Sequence, residues 1–270
     1  MRNAGAKGRR AVKSLGSGSA SLDAHPRDWA QLLDHFNWVR GETERLAEPL
    51  SAEDQVVQSM PDASPTKWHR AHVTWFFETM ILREFAPGYV PLDEHYCFLF
   101  NSYYDAVGAR HPRPERGILT RPTADEVKAY RDHVDAAMRA LIADADAETW
   151  GRVAPLIVLG LHHEQQHQEL MLMDLLDGFS RNPLAPSYDS HAPTPPALGR
   201  SGQWLELESG LISIGVEPSN PEFHFDNETP RQRVWLDACA LADRLVTNAE
   251  FEAFIADGGY CQPQLWMAEG

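Results

Sequence analysis

Apolar residues recur with the 3.6-residue period of an α-helix in four long stretches of the chain. We therefore predict helices over residues 26–46, 64–82, 123–141 and 150–176. Helices of this length that follow one another suggest an up-down four-helix bundle, although the long connections between them leave the topology open.

Polar residues mark the predicted ends of these helices. Ser64 is suited to cap the second helix, with Pro65 at its first position. Thr123 and Glu126 have the spacing of a capping box for the third helix. Gly178 is expected to end the fourth. Residues 88–122 remain as a long connection rich in aromatic residues, proline and arginine, and connections of this length are often functional.

The pattern changes after residue 180. Residues 181–203 are rich in proline and predict a linker, and the stretches 204–207 and 210–215 predict short paired strands. A further strand at 234–236 and a short helix at 248–256, capped by Thr247 or Asn248, follow. The expected organisation is a disordered basic leader (1–24), a helical domain (25–180), a linker (181–203) and the beginning of a second domain (204–270).

Composition narrows the class of protein. The formal net charge of -15 over 270 residues argues against binding nucleic acid or an anionic membrane. The three cysteines are far apart and form no metal knuckle, which suits a reducing, cytoplasmic location. No apolar run reaches the roughly 18–20 residues that a membrane span requires.

Candidate chemistry lies in the fourth helix. His163 and His167 are four residues apart, so their imidazoles share one face and can converge on a metal ion. A solvated polar face is the alternative, but the cluster is flanked by apolar residues on both sides. A third ligand should come from a facing helix, where His72 lies among aromatic residues and His69 is less clearly directed inward. The alternative for His72 is a hydrogen-bonded core histidine.

The spacing of these histidines leaves the metal open among iron, zinc, copper and nickel. His163 to His167 also matches the His-Glu-x-x-His pattern of zinc peptidases, in which Glu164 would be the general base. The glutamines at the middle positions and the absence of a downstream third ligand weigh against that interpretation. Gln166 should point toward the same pocket, and Asp174 is a structural residue or at most a hydrogen-bonding partner of a ligand.

Three arginines recur in the long connection, at positions 110, 113 and 116 of an otherwise acidic chain. A guanidinium is a natural partner for a substrate carboxylate, so these residues are candidates for substrate binding. The alternative is a surface loop that balances nearby acidic residues.

Several motifs together carry a family resemblance. They are Ser64–His72 (SPTKWHRAH), Phe100–Tyr104 (FNSYY), Arg113–Gly117 (RPERG), His163–Glu169 (HEQQHQE) and Phe225–Pro230 (FDNETP). In this order they resemble the ergothioneine-biosynthesis sulfoxide synthases, which are non-haem iron enzymes. The resemblance extends from about residue 27 to the end of the chain.

The resemblance implies an α+β multidomain protein, with a DinB-like four-helix bundle followed by a C-type-lectin-like domain of the formylglycine-generating-enzyme type. It implies Fe²⁺ held by His72, His163 and His167. Gln166 would contact the Nα-trimethylhistidine substrate, and Arg113 and Arg116 would hold the carboxylates of the thiol substrate.

The implied reaction joins sulfur to the imidazole ring with O₂ and oxidises it to a sulfoxide, the thiol being γ-glutamylcysteine or cysteine. Related ovothiol synthases act on histidine itself and share the motifs, and a non-catalytic metal-binding bundle is a further alternative. Members of the family are much longer than this chain. We therefore expect an incomplete second domain and impaired catalysis, with the tyrosine that acts on the oxygen intermediate in the missing part.

Overall fold

The computed structural model describes residues 29–190 and 202–267. The chain divides into two compact units. The first unit contains the residues up to Ser190 together with the short stretch Pro221–Phe223. The second unit contains all other residues after Ser190. The first unit is mostly helical, whereas the described part of the second holds two small sheets, one α-helix and three short 3₁₀ helices. The predicted leader and part of the predicted linker lie outside the described residues.

The helices of the first unit are α1 (Trp29–Ala47), α2 (Thr66–Phe77), α3 (Arg83–Phe85), α4 (Tyr96–Leu99), α5 (Ala124–Asp144) and α6 (Ala147–Ser180). Four of them, α1, α2, α5 and α6, lie in the predicted stretches, whereas the short helices α3 and α4 were not predicted. A π-helical turn, Glu78–Leu82, joins α2 to α3, and a 3₁₀ helix, Arg113–Ile118, lies within the long connection. The pattern at 64–82 predicted one continuous helix and gave no indication of the π turn.

The core of the first unit is built around α2, which packs against α5 and α6. All 12 residues of α2 are buried, so this helix has no solvent-facing side. The other long helices contribute one apolar stripe each, as the helical period predicts. The stripes include Leu32, Phe36 and Val39 from α1, Val127, Tyr130, Val134 and Met138 from α5, and Val153, Ile157 and Leu161 from α6.

Two predicted helix ends differ from the structure. Pro65, rather than Ser64, occupies the N-cap position of α2. The Ser64 side chain accepts a hydrogen bond from Arg116 instead (2.9 Å), so it is not available for capping. The helix α6 passes through Gly178 and ends at Ser180, because a glycine inside a helix is tolerated where the neighbouring turns continue it. The predicted capping box of α5 is present, with both Thr123–Glu126 hydrogen bonds formed.

The second unit contains the strands β1 (Trp204–Leu207), β2 (Gly210–Ile214), β3 (Gln232–Leu236) and β4 (Cys239–Ala242), followed by helix α7 (Asn248–Ala256). The prediction that β1 and β2 pair with each other is wrong. Instead, β1 pairs with β4 and β2 pairs with β3, and both pairs are antiparallel with the same register. One arm of an interrupted hairpin therefore consists of β1 and β2, and the other of β3 and β4. A turn at Glu208–Ser209 would lack the glycine or asparagine that tight hairpins favour.

Large apolar side chains of the second unit are exposed, and Gly259 is its only buried residue among those described. Within the described part of the chain, no helix is both long and apolar enough to cross a membrane.

Candidate metal centre

Two neighbouring helices bring three imidazoles together. His72 projects from α2, and His163 and His167 project from successive turns of α6. One ring nitrogen from each histidine lies within 4.8 Å of the other two. Two nitrogens that each bind one ion at about 2.1 Å are at most about 4.2 Å apart, so a small convergence of the rings would complete a site. The three histidines that the sequence predicts as ligands therefore lie in one cluster.

The ring of His72 is oriented by its surroundings. Its Nδ1 donates a hydrogen bond to the carbonyl oxygen of Phe100 (2.6 Å), and the ring stacks against Trp68 and Trp75. A carbonyl oxygen only accepts, so Nδ1 carries the proton and Nε2 keeps the lone pair that a metal needs.

Burial keeps all three imidazoles neutral. Burial, and then the neighbouring His163, lower the pKa of His72 well below its ordinary value. Burial, and then His72, do the same for the pKa of His167. Burial lowers the pKa of His163 to about 4. A metal ion would therefore not have to displace protons from these rings near pH 7.

A ring nitrogen without a hydrogen-bond partner also fits a metal site. Nδ1 of His163 is buried and has no hydrogen-bond partner among the described residues. His72 is buried, whereas His163 and His167 are partly exposed. Neutral imidazole nitrogens are ligands for Fe²⁺ and Zn²⁺ alike.

His69 faces inward and lies beside this cluster, contrary to the expectation that it is less clearly directed inward. It is almost fully buried, and its Nδ1 lies 2.8 Å from Nδ1 of His167. Its Nε2 lies 3.0 Å from Oδ2 of Asp174. Asp174 is thus a hydrogen-bonding partner behind the ligands. Counting back one helical turn from His72 would have placed His69 on the ligand-bearing face of α2.

Glu164 does not belong to the cluster, although it sits between the two histidines in sequence. Its carboxylate is fully buried and accepts hydrogen bonds from Arg40 (2.8 Å), Arg131 (3.0 Å) and Thr43 (2.6 Å). Burial alone would raise its pKa, but the two guanidinium charges and the Thr43 hydroxyl lower it. Both carboxylate oxygens are therefore committed to a buried ion network, which removes the basis for a peptidase general base.

Arg116 presents an uncompensated cation close to the cluster. Its guanidinium carbon lies 3.4 Å from the ring centroid of Trp68, the same indole that stacks on His72. It donates hydrogen bonds to the hydroxyls of Ser64 and Ser102, and its Nε is buried without a partner among the described residues. Burial, and then the charge of Arg113, lower its pKa to about 10, so it remains protonated at pH 7.

The other two predicted substrate residues are placed differently. Arg113 donates hydrogen bonds to the Tyr103 hydroxyl and to the backbone oxygen of Asp62. In the described residues, neither Arg113 nor Arg116 forms an ion pair with a carboxylate. Gln166 lies on α6 between His163 and His167, and its side chain is exposed.

The family model described as the DinB superfamily matches residues 35–171. Among curated proteins, hercynine oxygenase from Mycolicibacterium thermoresistibile is 32% identical over 244 residues, which is 89% of this chain and 50% of that protein. Hercynine oxygenase from Mycolicibacterium smegmatis is 31% identical over 246 residues, 88% of this chain and 53% of that protein.

A more distant relative is ergothioneine biosynthesis protein 1 from Neurospora crassa, which is 28% identical over 151 residues, 50% of this chain and 17% of that protein. The chain spans about half the length of the hercynine oxygenases that it matches.

Proposed function

Since the chain belongs to the DinB superfamily, we propose that its helical unit is the metal-binding part of an iron- and O₂-dependent sulfoxide synthase of ergothioneine biosynthesis. The similar proteins named hercynine oxygenase and ergothioneine biosynthesis protein 1 confirm the resemblance found in the sequence motifs. The proposed substrates are hercynine, which is Nα-trimethylhistidine, and a thiol, either γ-glutamylcysteine or cysteine.

The proposal includes the fold. The helices α1, α2, α5 and α6 would form a DinB-like four-helix bundle, since all four contribute to one core. The described strands and α7 would be the first part of a C-type-lectin-like domain of the formylglycine-generating-enzyme type.

The observation that carries the proposal is the cluster of His72, His163 and His167 on α2 and α6. Three neutral donors on one side of an ion leave coordination positions for substrate and O₂. When bound there, Fe²⁺ would supply the electron-transfer chemistry that O₂ requires in order to react with closed-shell organic substrates. The protein's own contribution is to hold the three rings neutral and oriented.

Arg116 supports the choice of an anionic thiol substrate. A buried guanidinium without a carboxylate partner is costly, and a substrate carboxylate would provide the missing counter-charge through charge-assisted hydrogen bonds. The guanidinium of Arg116 contacts Trp68, and the same indole stacks on His72. Arg113 would hold a carboxylate beside it, and the exposed Gln166 would contact the trimethylhistidine on the open side of α6.

The proposed reaction balances without a further reductant. One C–H bond of the imidazole and the S–H bond of the thiol are lost, and a C–S bond and an S=O bond form. The substrates give up four electrons to O₂, of which one oxygen atom enters the sulfoxide and the other leaves as water.

Anaerobic titration of the full chain with Fe²⁺ tests the metal site. We expect His72→Ala, His163→Ala and His167→Ala each to weaken Fe²⁺ binding by more than the roughly 10–100-fold that is lost when a hydrogen-bonding partner of a ligand is changed. His95→Ala is the control, because His95 is exposed and lies outside the cluster. Tight binding that survives all three cluster substitutions would refute the ligand assignment.

Calorimetry with the Fe²⁺-loaded chain then tests the substrate. Trimethylhistidine should bind more tightly than histidine, whereas the opposite preference would favour the ovothiol-type reaction. Binding of neither, together with no substrate-dependent O₂ uptake, would leave a metal-binding module without this activity. The expected product is the sulfoxide that joins the two substrates. Mass spectrometry would detect it as the sum of both substrates plus one oxygen and minus two hydrogens.

A further inference from the structure

The ring of His167, a proposed metal ligand, contacts the imidazole of His69, and His69 in turn contacts the carboxylate of Asp174. Nδ1 of His167 lies 2.8 Å from Nδ1 of His69, and Nε2 of His69 lies 3.0 Å from Oδ2 of Asp174. From this hydrogen-bonded row we infer that His69 and Asp174 are positioning residues that orient His167 as a metal ligand. The inference rests on the proposed metal site and deepens it.

The row follows from the faces of the two helices. His69 precedes His72 by three residues on α2, and Asp174 follows His167 by seven residues on α6, so each lies on its helix's ligand-bearing face. Where the two helices meet, α2 therefore contributes the ligand His72 and the supporting residue His69, and α6 contributes the ligand His167 and the supporting residue Asp174. The pair is shielded from water, with 4% of the His69 side chain and 14% of the Asp174 side chain exposed.

The hydrogen bonds select one arrangement of protons. A carboxylate only accepts, so Nε2 of His69 carries a proton and its N–H donates a hydrogen bond to Asp174. A neutral His69 then has a lone pair on Nδ1, which accepts a hydrogen bond from Nδ1 of His167. His167 is left with its lone pair on Nε2. A row of this kind fixes both the tautomer and the rotation of a ligating ring.

Asp174 is itself held in place by the start of α2. The backbone N–H of Ser64 donates to the same oxygen, Oδ2, at 2.7 Å. The hydroxyl of Ser64 accepts a hydrogen bond from Arg116 at 2.9 Å. The row that supports His167 thus continues to the cation proposed to bind the thiol substrate.

Cobalt(II) affinity of the full chain tests the inference without relying on activity. His69→Leu keeps the bulk of the side chain but can neither accept from His167 nor donate to Asp174, and we expect it to weaken Co²⁺ binding by about 10–100-fold. His69→Gln can do both through its amide, so its affinity should stay within about threefold of the wild type. Asp174→Leu should weaken binding in the same direction as His69→Leu.

The matched control is His95→Leu, which removes an exposed histidine that also pairs with an aspartate, Asp93, and should leave Co²⁺ affinity unchanged. Circular dichroism and thermal unfolding identify variants that fail to fold. If His69→Leu is among them, a folded His69→Gln that has lost affinity overturns the inference. It is also overturned if His69→Leu binds as tightly as the wild type. A wild type that binds no Co²⁺ overturns the metal site itself, which distinguishes the two failures.

Discussion

At the scale of single residues, Glu164 stabilises the fold, although it lies in sequence between two histidines of the candidate metal centre. Its buried carboxylate lies between Arg40 and Arg131, and Arg40 also pairs with Asp135 at 2.7 Å. Arg131 also pairs with Glu44 at 2.6 Å, and Glu44 with Arg70 at 2.7 Å, so these ion pairs form one connected network inside the helical unit. Removing one member of such a network leaves the opposite charge buried and uncompensated.

We predict that Glu164→Gln lowers the free energy of unfolding by about 3–5 kcal/mol, the usual cost of breaking a buried ion pair. Urea denaturation followed by circular dichroism measures the change. Glu169→Gln on the same helix is the control, because Glu169 is exposed and its substitution should change stability by less than about 0.5 kcal/mol. Wild-type stability in Glu164→Gln, combined with a loss of hydrolytic activity, would instead restore the peptidase interpretation.

The sequence located the cluster of His72, His163 and His167 and suggested Asp174 as at most a hydrogen-bonding partner of a ligand, but it did not predict that His69 links Asp174 to His167. On α6 the apolar and polar positions alternate with a clear helical period, so the face that carries His163 and His167 could be read from spacing. On α2 every residue is buried, and hydrophobicity therefore cannot distinguish the side that bears His69 from any other. The roles of Ser64 and Asp174 depend on the contact between two helices, which single-helix periodicity does not describe.

At the scale of elements, the close approach of α2 and α6 depends on Gly160. A Cβ atom at this position would lie 2.7 Å from Cε1 of Phe77 and 2.8 Å from Cε1 of Phe76. Both rings belong to the buried core, so they cannot swing away into solvent. The glycine lets the helix that carries two of the clustered histidines pack directly on the helix that carries the third.

Gly160→Ala should therefore destabilise the protein by about 1–3 kcal/mol through overpacking, although alanine is the better helix former. Gly151→Ala on the same helix is the matched control, since nothing lies within 4 Å of its added Cβ and the substitution should stabilise by up to about 1 kcal/mol. Thermal unfolding of both variants measures the contrast. An increase in stability for both would mean that the helices can separate without cost.

The sequence predicted those features of the helices that depend only on neighbouring residues. The capping box of α5 and the Thr247 cap of α7 are both formed, because each needs only residues within one turn. The pairing of β1 with β4 and of β2 with β3 was not predicted, because it joins residues separated by a long connection. The π turn at Glu78–Leu82 was also missed, since its apolar spacing resembles that of an ordinary helix.

At the scale of the whole molecule, the two units differ in how much apolar surface they bury. The main hydrophobic core consists of residues from α1 to α6 and the connections between them. In the second unit the strands and α7 keep their large apolar side chains exposed, Trp204, Leu211 and Phe251 among them. Two-stranded ribbons without a covered face are only marginally stable in water. Local stability should therefore differ sharply along the chain.

Amide hydrogen exchange of the full chain tests this expectation, and α5 and α7 provide an internal comparison. Both helices begin with a threonine and glutamate capping box, so their local N-terminal signals are equivalent. Only α5 has buried residues, whereas α7 has none.

Opening a helix that buries nothing costs little, while opening a core helix approaches the free energy of global unfolding. We expect amides in α7 to exchange roughly a hundredfold faster than those in α5, or more. Equal protection of the two helices would show that the apolar surface of α7 is covered in solution, and mass spectrometry of peptides from each helix would distinguish the two results.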